Sequence, residues 1–577
     1  MNQKSSHLSL LTSHLSPLTF LLAVIAGLFY LALAAWGGYV GFPLDDAWIH
    51  QTYARNLAVS SQLAFVPGQP SAGSTAPLWS LLLSLGYLLH VPFQLWTYSL
   101  GIILLGLIGA QMRYLAQQLW PQQPTLALII GVCCTLEWHL IWAAVSGMET
   151  LLFIWLSVAL VSRYLTVSRA PTPSGWLTLG IMGGFLTLTR PEGLGLVALL
   201  GLDWGVKQYR SPQSFADNPQ RIADSYIMVG LGIALLLIPY MAFHFHLTGK
   251  PFPNTLYAKQ AEYAVVLSSY PLWWRLFGNF SHPVETVQGV FQVIFIGPQF
   301  LLLPGLIWAA WLTVKERRSE LVCLWAWWIS FLLLYGFRLP VTYQHGRYQM
   351  PMIVWVILLG LWGSQRLYTR PHRSTAIKDP HPNPLLYPRM GTEGEGVKTP
   401  PSPFGRGDGG EGDFGLIFLK PVRSLKRLYQ RVIYPVMVGS WGVLVVAFVG
   451  VGALAYQRDV RFIETEMVAT ARWLVAETPP NTTIAAHDIG AIGYFTQRPL
   501  IDLAGLITPE VIPIIRDEPK LLEFIVTQRA DYVVIFPSWY PHLSQNTDLH
   551  EVYRTKTLWS GDINNDNMSV YQVQFNK

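Results

Sequence analysis

Two adjacent carboxylates, Asp45 and Asp46, stand in the run GFPLDDAWIHQTYARNLAVS (41–60), directly after a long apolar stretch. Neighbouring carboxylates raise each other's pKa, which suits one of them to take a proton from a hydroxyl. A blander use is equally open. An Asp after Pro43 caps the helix that DDAWIHQTYARNLA forms and favours its dipole. One Asp suffices for a cap, so the second asks for another reason. In that helix Trp48, Ile49, Tyr53 and Leu57 can lie on a membrane while polar residues face away.

Cations with the chemistry to meet an anion recur between apolar segments. FRLPVTYQHGRY (337–348) carries Arg338, His345 and Arg347 together with Tyr343 and Tyr348. TRPEG (189–193) carries Arg190 and Glu192, and GKPFPNTLYAK (249–259) carries Lys250, Tyr257 and Lys259. Arg or Lys at such places stabilises charge on a leaving oxygen. Taken singly, each also fits as a helix-end anchor at a membrane interface. Glu149 in SGMET is the last residue of a Ser-x-x-Glu pattern before an apolar run, the mark of a capping box, and capping competes there with ligand binding.

The elements that must hold these residues are membrane helices. Hydrophobic residues make up 51% of the 577 and charged residues only 12%, against about 25% charged in soluble domains. Mean hydropathy is +0.34. The 23 Trp and 26 Tyr suit aromatic belts at two interfaces. The net charge of +6 is spread between apolar segments and forms no single patch for nucleic acid. Apolar segments lie near 17–38, 77–92, 97–114, 125–145, 148–166, 176–189, 193–206, 226–246, 288–313, 320–338, 350–367 and 432–455. The expected fold is a polytopic α-helical membrane protein of about 11–13 transmembrane helices with a small C-terminal α/β domain.

Loops rich in Lys and Arg point to the cytoplasm. This puts the N-terminus inside and TRPEG, 248–287, 339–349 and everything after 456 outside, in a plasma (inner) membrane. Twelve full spans cannot join those two ends, so one segment between 77 and 145 must be re-entrant, interfacial or misread. The expected organisation is a transmembrane domain (1–367) with a first external loop (41–76), a Pro/Gly-rich cytoplasmic linker (368–431), a last span (432–455) and an outer domain (456–577). The linker buries too little apolar surface to order itself. In the outer domain TTIAAH, RPLIDL, DYVVIF and SVYQVQF read as strands, with EPKLLEFIVTQ helical between the second and third.

The stretch FPLDDAWIHQTYARNLAVSSQLAFVPGQPSAGSTAPLWSLLL resembles the first external loop of the GT-C membrane glycosyltransferases. Within them it is similar to the group that includes mycobacterial arabinofuranosyltransferases acting on cell-wall polymers. SGMET, TRPEG, GKPFPNTLYAK and DIGAIGYFTQRPLIDLAGLITPE (488–510) support the likeness. The resemblance implies inverting transfer of a sugar, arabinofuranosyl or another pentosyl included, from a polyprenyl-phosphate donor. The acceptor is a cell-envelope polysaccharide, glycolipid or glycoprotein on the outer face. Asp45 then serves as general base, with Asp46 assisting the acceptor or a metal. Arg190, Lys259, Arg338, His345, Arg347, Tyr257 and Glu149 form the set for donor phosphate and substrate.

No Walker A, dinucleotide fingerprint or G-x-S-x-G occurs, which favours a lipid-linked donor over a nucleotide sugar. A divalent metal stays open, although the Asp-Asp pair lacks Asp-x-Asp spacing. GDINNDN (561–567) lacks the glycine and distal Glu of a calcium loop. Cys133, Cys134 and Cys323 have no zinc or redox spacing. The competing reading is a transporter or flippase for lipid-linked sugars, which calls for ionisable residues inside spans and broken helices in two matching halves. A sensor needs a cytoplasmic output domain, and the linker is the only sizeable cytoplasmic segment.

Overall fold

The structure, a computed structural model, describes residues 16–71, 73–210, 219–281, 286–368, 434–557 and 567–574. The expected linker therefore lies outside the described residues except for Tyr368, and GDINNDN outside them except for Asn567.

The main helices are α1 (Pro17–Trp36), α2 (Asp45–Ser60), α3 (Pro77–Leu88), α4 (Phe93–Leu119), α5 (Pro124–Thr135), α6 (Trp138–Ala144) and α7 (Thr150–Arg169). They continue with α8 (Pro173–Thr189), α9 (Gly193–Tyr209), α10 (Pro219–Thr248), α11 (Asn254–Glu262), α12 (Leu303–Lys315), α13 (Ser319–Arg338) and α14 (Ile353–Tyr368). The last four are α15 (Tyr434–Ile463), α16 (Ala469–Glu477), α17 (Gly490–Thr496) and α18 (Glu518–Thr527). Proline at the first turn starts several of them, α1, α3, α5 and α8 included, where its missing N–H costs nothing.

Seven helices among the described residues are long and apolar enough to cross a membrane, or eight if the bent pair α5–α6 counts as one. That is fewer than the expected 11–13, because several apolar segments fold into shorter helices. α8 and α9 have 17 residues each, at the lower limit for a span, and α3 has 12. The segment 288–313, expected as one span, instead makes 3₁₀ turns around Gly297 (φ 119°) before the 13-residue α12. Within 77–145 the chain breaks after Thr135, where α5 and α6 meet at 54°.

α7 and α14 form the buried centre of the bundle. α10 packs along α8 and turns its other side outward. The two backbones approach so closely at Gly180 and Gly232 that a Cβ on either would lie under 3 Å from the other's backbone. Small residues permit such approach where apolar burial alone gives no drive between helices.

After α15 the helix runs through a π turn (Glu464–Val468) into α16 and delivers the chain to a five-stranded sheet. Two short hairpins precede it, β1 (Ala64–Val66) with β2 (Gln69–Pro70) and β3 (Asn279–Ser281) with β4 (Thr286–Gln288). The sheet holds β5 (Ile484–Ala486), β6 (Leu500–Asp502), β7 (Tyr532–Ile535), β8 (Leu549–Arg554) and β9 (Ser569–Val573), ordered β6-β5-β7-β9-β8. β5 is parallel to β6 and β7, while β9 runs antiparallel between β7 and β8. The edge strand β8 was not read from sequence. Its outward residues His550 and Glu551 leave little apolar pattern.

α2 does not lie on lipid. Trp48 and Tyr53 are buried, and Trp48 sits among Phe42, Phe93, Tyr494 and Phe495 with ring centroids 4.9–5.7 Å away. Its aromatic side is covered by α17 of the C-terminal unit, a partner invisible to a local amphipathic pattern.

Candidate functional site

The site forms where α2 meets the C-terminal unit and the loops that end α8, α10 and α13. Leu44 is the residue before α2, and no side chain caps that helix. Asp45 instead caps another one. Its Oδ2 accepts the Gly490 N–H at 2.7 Å and its Oδ1 the Ala491 N–H at 2.8 Å, at the start of α17. Gly490 is needed there, since a Cβ would fall 2.0 Å from the Asp45 carbonyl oxygen.

Asp46 turns the other way and pairs with the buried Arg347. Arg347 follows a turn in which Gln344, His345 and Gly346 all have left-handed φ of 53–67°. Two successive non-glycine residues in that region are costly, and such strain persists where surroundings over-determine it. The turn ends α13's connection tightly and aims Arg347 at α2. His345 is drawn aside by Asp459, 2.8 Å from its Nε2, and Trp142 donates to the same carboxylate oxygen at 2.9 Å.

Tyr348 is the hub. Lys259, Arg347 and Arg190 lie 4.6, 4.8 and 5.0 Å from its ring centroid. Its hydroxyl also accepts from Arg347 at 3.0 Å and from Lys259. Arg190 reaches it from the α8–α9 turn, with Glu149 at 3.6 Å and the Tyr335 hydroxyl at 3.3 Å. His50, one helical turn beyond Asp46, lies 3.4 Å from Glu149. The Ser-x-x-Glu pattern is thus not a capping box: Glu149 precedes α7 without a side-chain cap bond, and its carboxylate faces Arg190 and His50.

Two buried donors here lack protein acceptors, Arg190 Nη1 and Arg347 Nε. Unmet donors on buried cations are expensive, and an anion's oxygens would satisfy them. Of the other expected members, Arg338 is exposed at the end of α13, and Tyr257 has the Lys250 ammonium 4.6 Å from its ring centroid.

Burial raises the Asp45 carboxyl to about 6, against its two amide bonds and with Asp46 adding to the rise. Burial also pushes Asp46 upward, but Arg347, Lys259 and His50 outweigh it and bring it down to about 2. Burial alone would lower Lys259, yet the Tyr348 and Tyr343 oxygens and Asp46 lift it above its ordinary value and keep it charged. A third acid, Asp488, is pushed well up by burial and then by Asp45 and Asp46, and its Oδ2 has no partner.

Asp45 and Asp46 point to different partners and do not converge on one point. Among the described residues no group of three or more His, Cys, Asp or Glu is placed to hold a metal ion. Sequence reading missed His50 and Asp488 as members. His50 carries a signal at i+4 from Asp46 on α2, whereas Asp488 is brought in only by the fold of the C-terminal unit.

Residues 455–571 match a domain of unknown function (DUF8728). No curated protein matches the sequence. Among solved structures the chain is similar to ArnT from Cupriavidus metallidurans bound to undecaprenyl phosphate, with TM-score 0.54, 14% identity, and 96% of this chain and 97% of that one covered. It is also similar to the Archaeoglobus fulgidus oligosaccharyltransferase tethered with an acceptor peptide, with TM-score 0.53, 11% identity, and 90% and 69% covered. These likenesses show a shared GT-C-like fold, a multi-pass helical bundle with a small C-terminal sheet unit.

Proposed function

We propose that the protein transfers a glycosyl residue from a polyprenyl-phosphate donor to a cell-envelope glycan, glycolipid or glycoprotein on the outer face of the membrane. The observation that carries this reading is the convergence of Arg190, Lys259 and Arg347 on Tyr348, with two buried guanidinium donors unmet. Such a centre suits a phosphate whose lipid tail stays in the bilayer. The ArnT structure similar to this chain is bound to undecaprenyl phosphate.

In the reaction, Asp45 takes the proton of the acceptor hydroxyl as its oxygen bonds the anomeric carbon. The bond from that carbon to the phosphate oxygen breaks, and the polyprenyl phosphate leaves with the electron pair. Asp45 suits the base because it titrates near 6 and faces the C-terminal unit, away from the cations. Asp46 is too weakly basic and holds Arg347 in place. Arg190, Arg347 and Lys259 stabilise charge on the departing phosphate. The first loop's resemblance puts arabinofuranosyl and other pentosyl donors first in any panel. The Lys/Arg-bearing loops support the orientation that goes with this reading, N-terminus cytoplasmic and site and C-terminal unit outside.

One observation favours a lipid-sugar flippase: α5 and α6 form a broken helix, and the buried Glu137 at the break contacts His139 at 2.7 Å. Among the described residues no second bent pair matches it. The test is transfer by purified protein in nanodiscs with a panel of polyprenyl-phosphate sugars, wild type beside Asp45→Asn, with and without EDTA. Donor-dependent transfer lost in the variant supports the enzyme, and EDTA sensitivity reports a metal. Movement of donor between leaflets without transfer supports the flippase.

A further inference from the structure

The carboxyl ends of parallel strands in the C-terminal sheet come up to Asp45, whose carboxylate is bonded to Gly490 and Ala491 just beyond β5. β5 lies between β6 and β7 and is parallel to both. The chain leaves β5 through α17 to reach β6 on one side, then returns through α18 to β7 on the other. β5 is thus the point where the strand order reverses, and ligands of open α/β sheets bind outside the strand ends at such a point. His487 and Asp488 directly follow β5, and Trp539 and Tyr540 lie just beyond β7. The His487 ring is centred 5.1 Å from that of Trp539, and its Nδ1 lies 2.6 Å from the Tyr540 hydroxyl. His487, Asp488 and Trp539 are each half-buried.

The charge at this place decides what it can hold. Asp45 occupies the amides that begin α17, which closes that helix end to a phosphate. The charges that act most on Asp488 are all carboxylates, Asp45, Asp46, Glu262 and Asp502. Each of these has a counterweight. Asp45 has its two amides, Asp46 has Arg347, and Glu262 has Arg516 at 3.8 Å. Asp502 accepts the N–H groups of Ala504, Leu506 and Ile507. Asp488 is the exception: its Oδ2 is buried and has no partner. A carboxyl crowded by like charge and without a donor of its own keeps its proton, and that proton needs an oxygen to meet.

We propose that this switch point is the acceptor subsite and holds a sugar by two neighbouring hydroxyls, one bonded by Asp488 and the other facing Asp45. This role rests on the transfer reading above. Asp488 donates to the oxygen of the first hydroxyl. The second gives its proton to Asp45 as its own oxygen bonds the anomeric carbon. A neutral polyol suits the place, because carboxylates repel an anion while hydroxyls both donate to and accept from carboxyl groups. The two substrates are then sorted by charge. Lys259 and Glu262, within one turn of each other on α11, mark the border: Lys259 stands with the cations around Tyr348, and Glu262 with the acids around Asp488.

The full chain in nanodiscs tests this, with the polyprenyl-phosphate sugar panel as donors and methyl glycosides and their monodeoxy analogues as acceptors. Asp488→Ala should raise the acceptor KM about 10-fold, the scale of one lost hydrogen bond in a buried site, and leave the donor KM alone. Asp488→Asn, whose amide donates from the same place, should recover most of that loss, which a folding defect would not show. One monodeoxy acceptor should raise KM in the wild type and no further in Asp488→Ala. Equal losses in the two variants, or additive losses with every deoxy acceptor, overturn the proposal. A moved acid limb of kcat with an unchanged acceptor KM also overturns it and ties Asp488 to Asp45 alone. Saturation-transfer NMR of the same glycosides separates the subsite from the reaction. Binding that weakens in Asp488→Ala without any turnover keeps the saccharide site and removes the transfer reading. No glycoside binding to the wild type removes the site.

Discussion

At the scale of single residues, the division of labour between Asp45 and Asp46 follows from their partners. Asp45 faces two amides and other acids, whereas Asp46 faces a guanidinium. A base must be ionised, so transfer should be flat above pH 6 and fall tenfold per unit below it as Asp45 takes up a proton. Asp46, held near 2, stays ionised and adds no limb in that range. A pH profile of kcat/KM that stays flat down to pH 5 would remove Asp45 from the base role. Arg347→Gln should cost about 100-fold or more in kcat/KM, the order seen when one aimed donor is lost. Tyr348→Phe keeps the ring that the cations surround and loses only a hydroxyl, so a fall of about 3- to 10-fold is expected. If Tyr348→Phe costs as much as Arg347→Gln, the ring is not what gathers the cations.

At the scale of elements, the site depends on two backbone features. The first is the seating of α17 on α2. Gly490→Ala would drive a Cβ into the Asp45 carbonyl, and the two helices must part. A loss of about 2 kcal/mol or more is expected, visible as a lower melting temperature and earlier proteolysis between α16 and the sheet. The second is the left-handed turn before Arg347. Gly346→Ala should destabilise, because φ is +67° and the new Cβ meets Val293 at 2.4 Å. Gln344→Gly should be neutral or stabilising by about 1 kcal/mol, since it removes a side chain from an unfavourable backbone region. A lower melting temperature for Gly346→Ala and an equal or higher one for Gln344→Gly are the check.

At the scale of the whole molecule, the cations come from separate connections, α8–α9, α11 and α13–α14, and meet only because the bundle brings these ends together. Bound lipid phosphate should therefore tie the connections together. At 100 times its Kd, polyprenyl phosphate stabilises by about 2.7 kcal/mol, a melting shift of several degrees. Arg190→Gln should abolish the shift without abolishing the fold. A shift of equal size in that variant would place the phosphate elsewhere.

Composition and apolar run length made the membrane class legible, because burying some 20 uncharged residues in succession has few other uses. Hydropathy did not tell a straight span from a bent pair such as α5–α6 or an irregular stretch such as 289–302. In the site, Asp45, Asp46, Arg190, Lys259 and Arg347 were legible as ionisable groups beside apolar segments, where charge is costly without purpose. Arg338 and His345 carried the same local signal, and only packing separates them: Arg338 stays exposed, and Asp459, more than a hundred residues on, takes His345. Local sequence determines which residues carry charge and which segments seek lipid, because those are properties of side chains and their near neighbours. Which charges meet, which acid is buried against amides and which against a guanidinium, was decided by tertiary structure alone, since those energies depend on distance and burial between segments far apart in the chain.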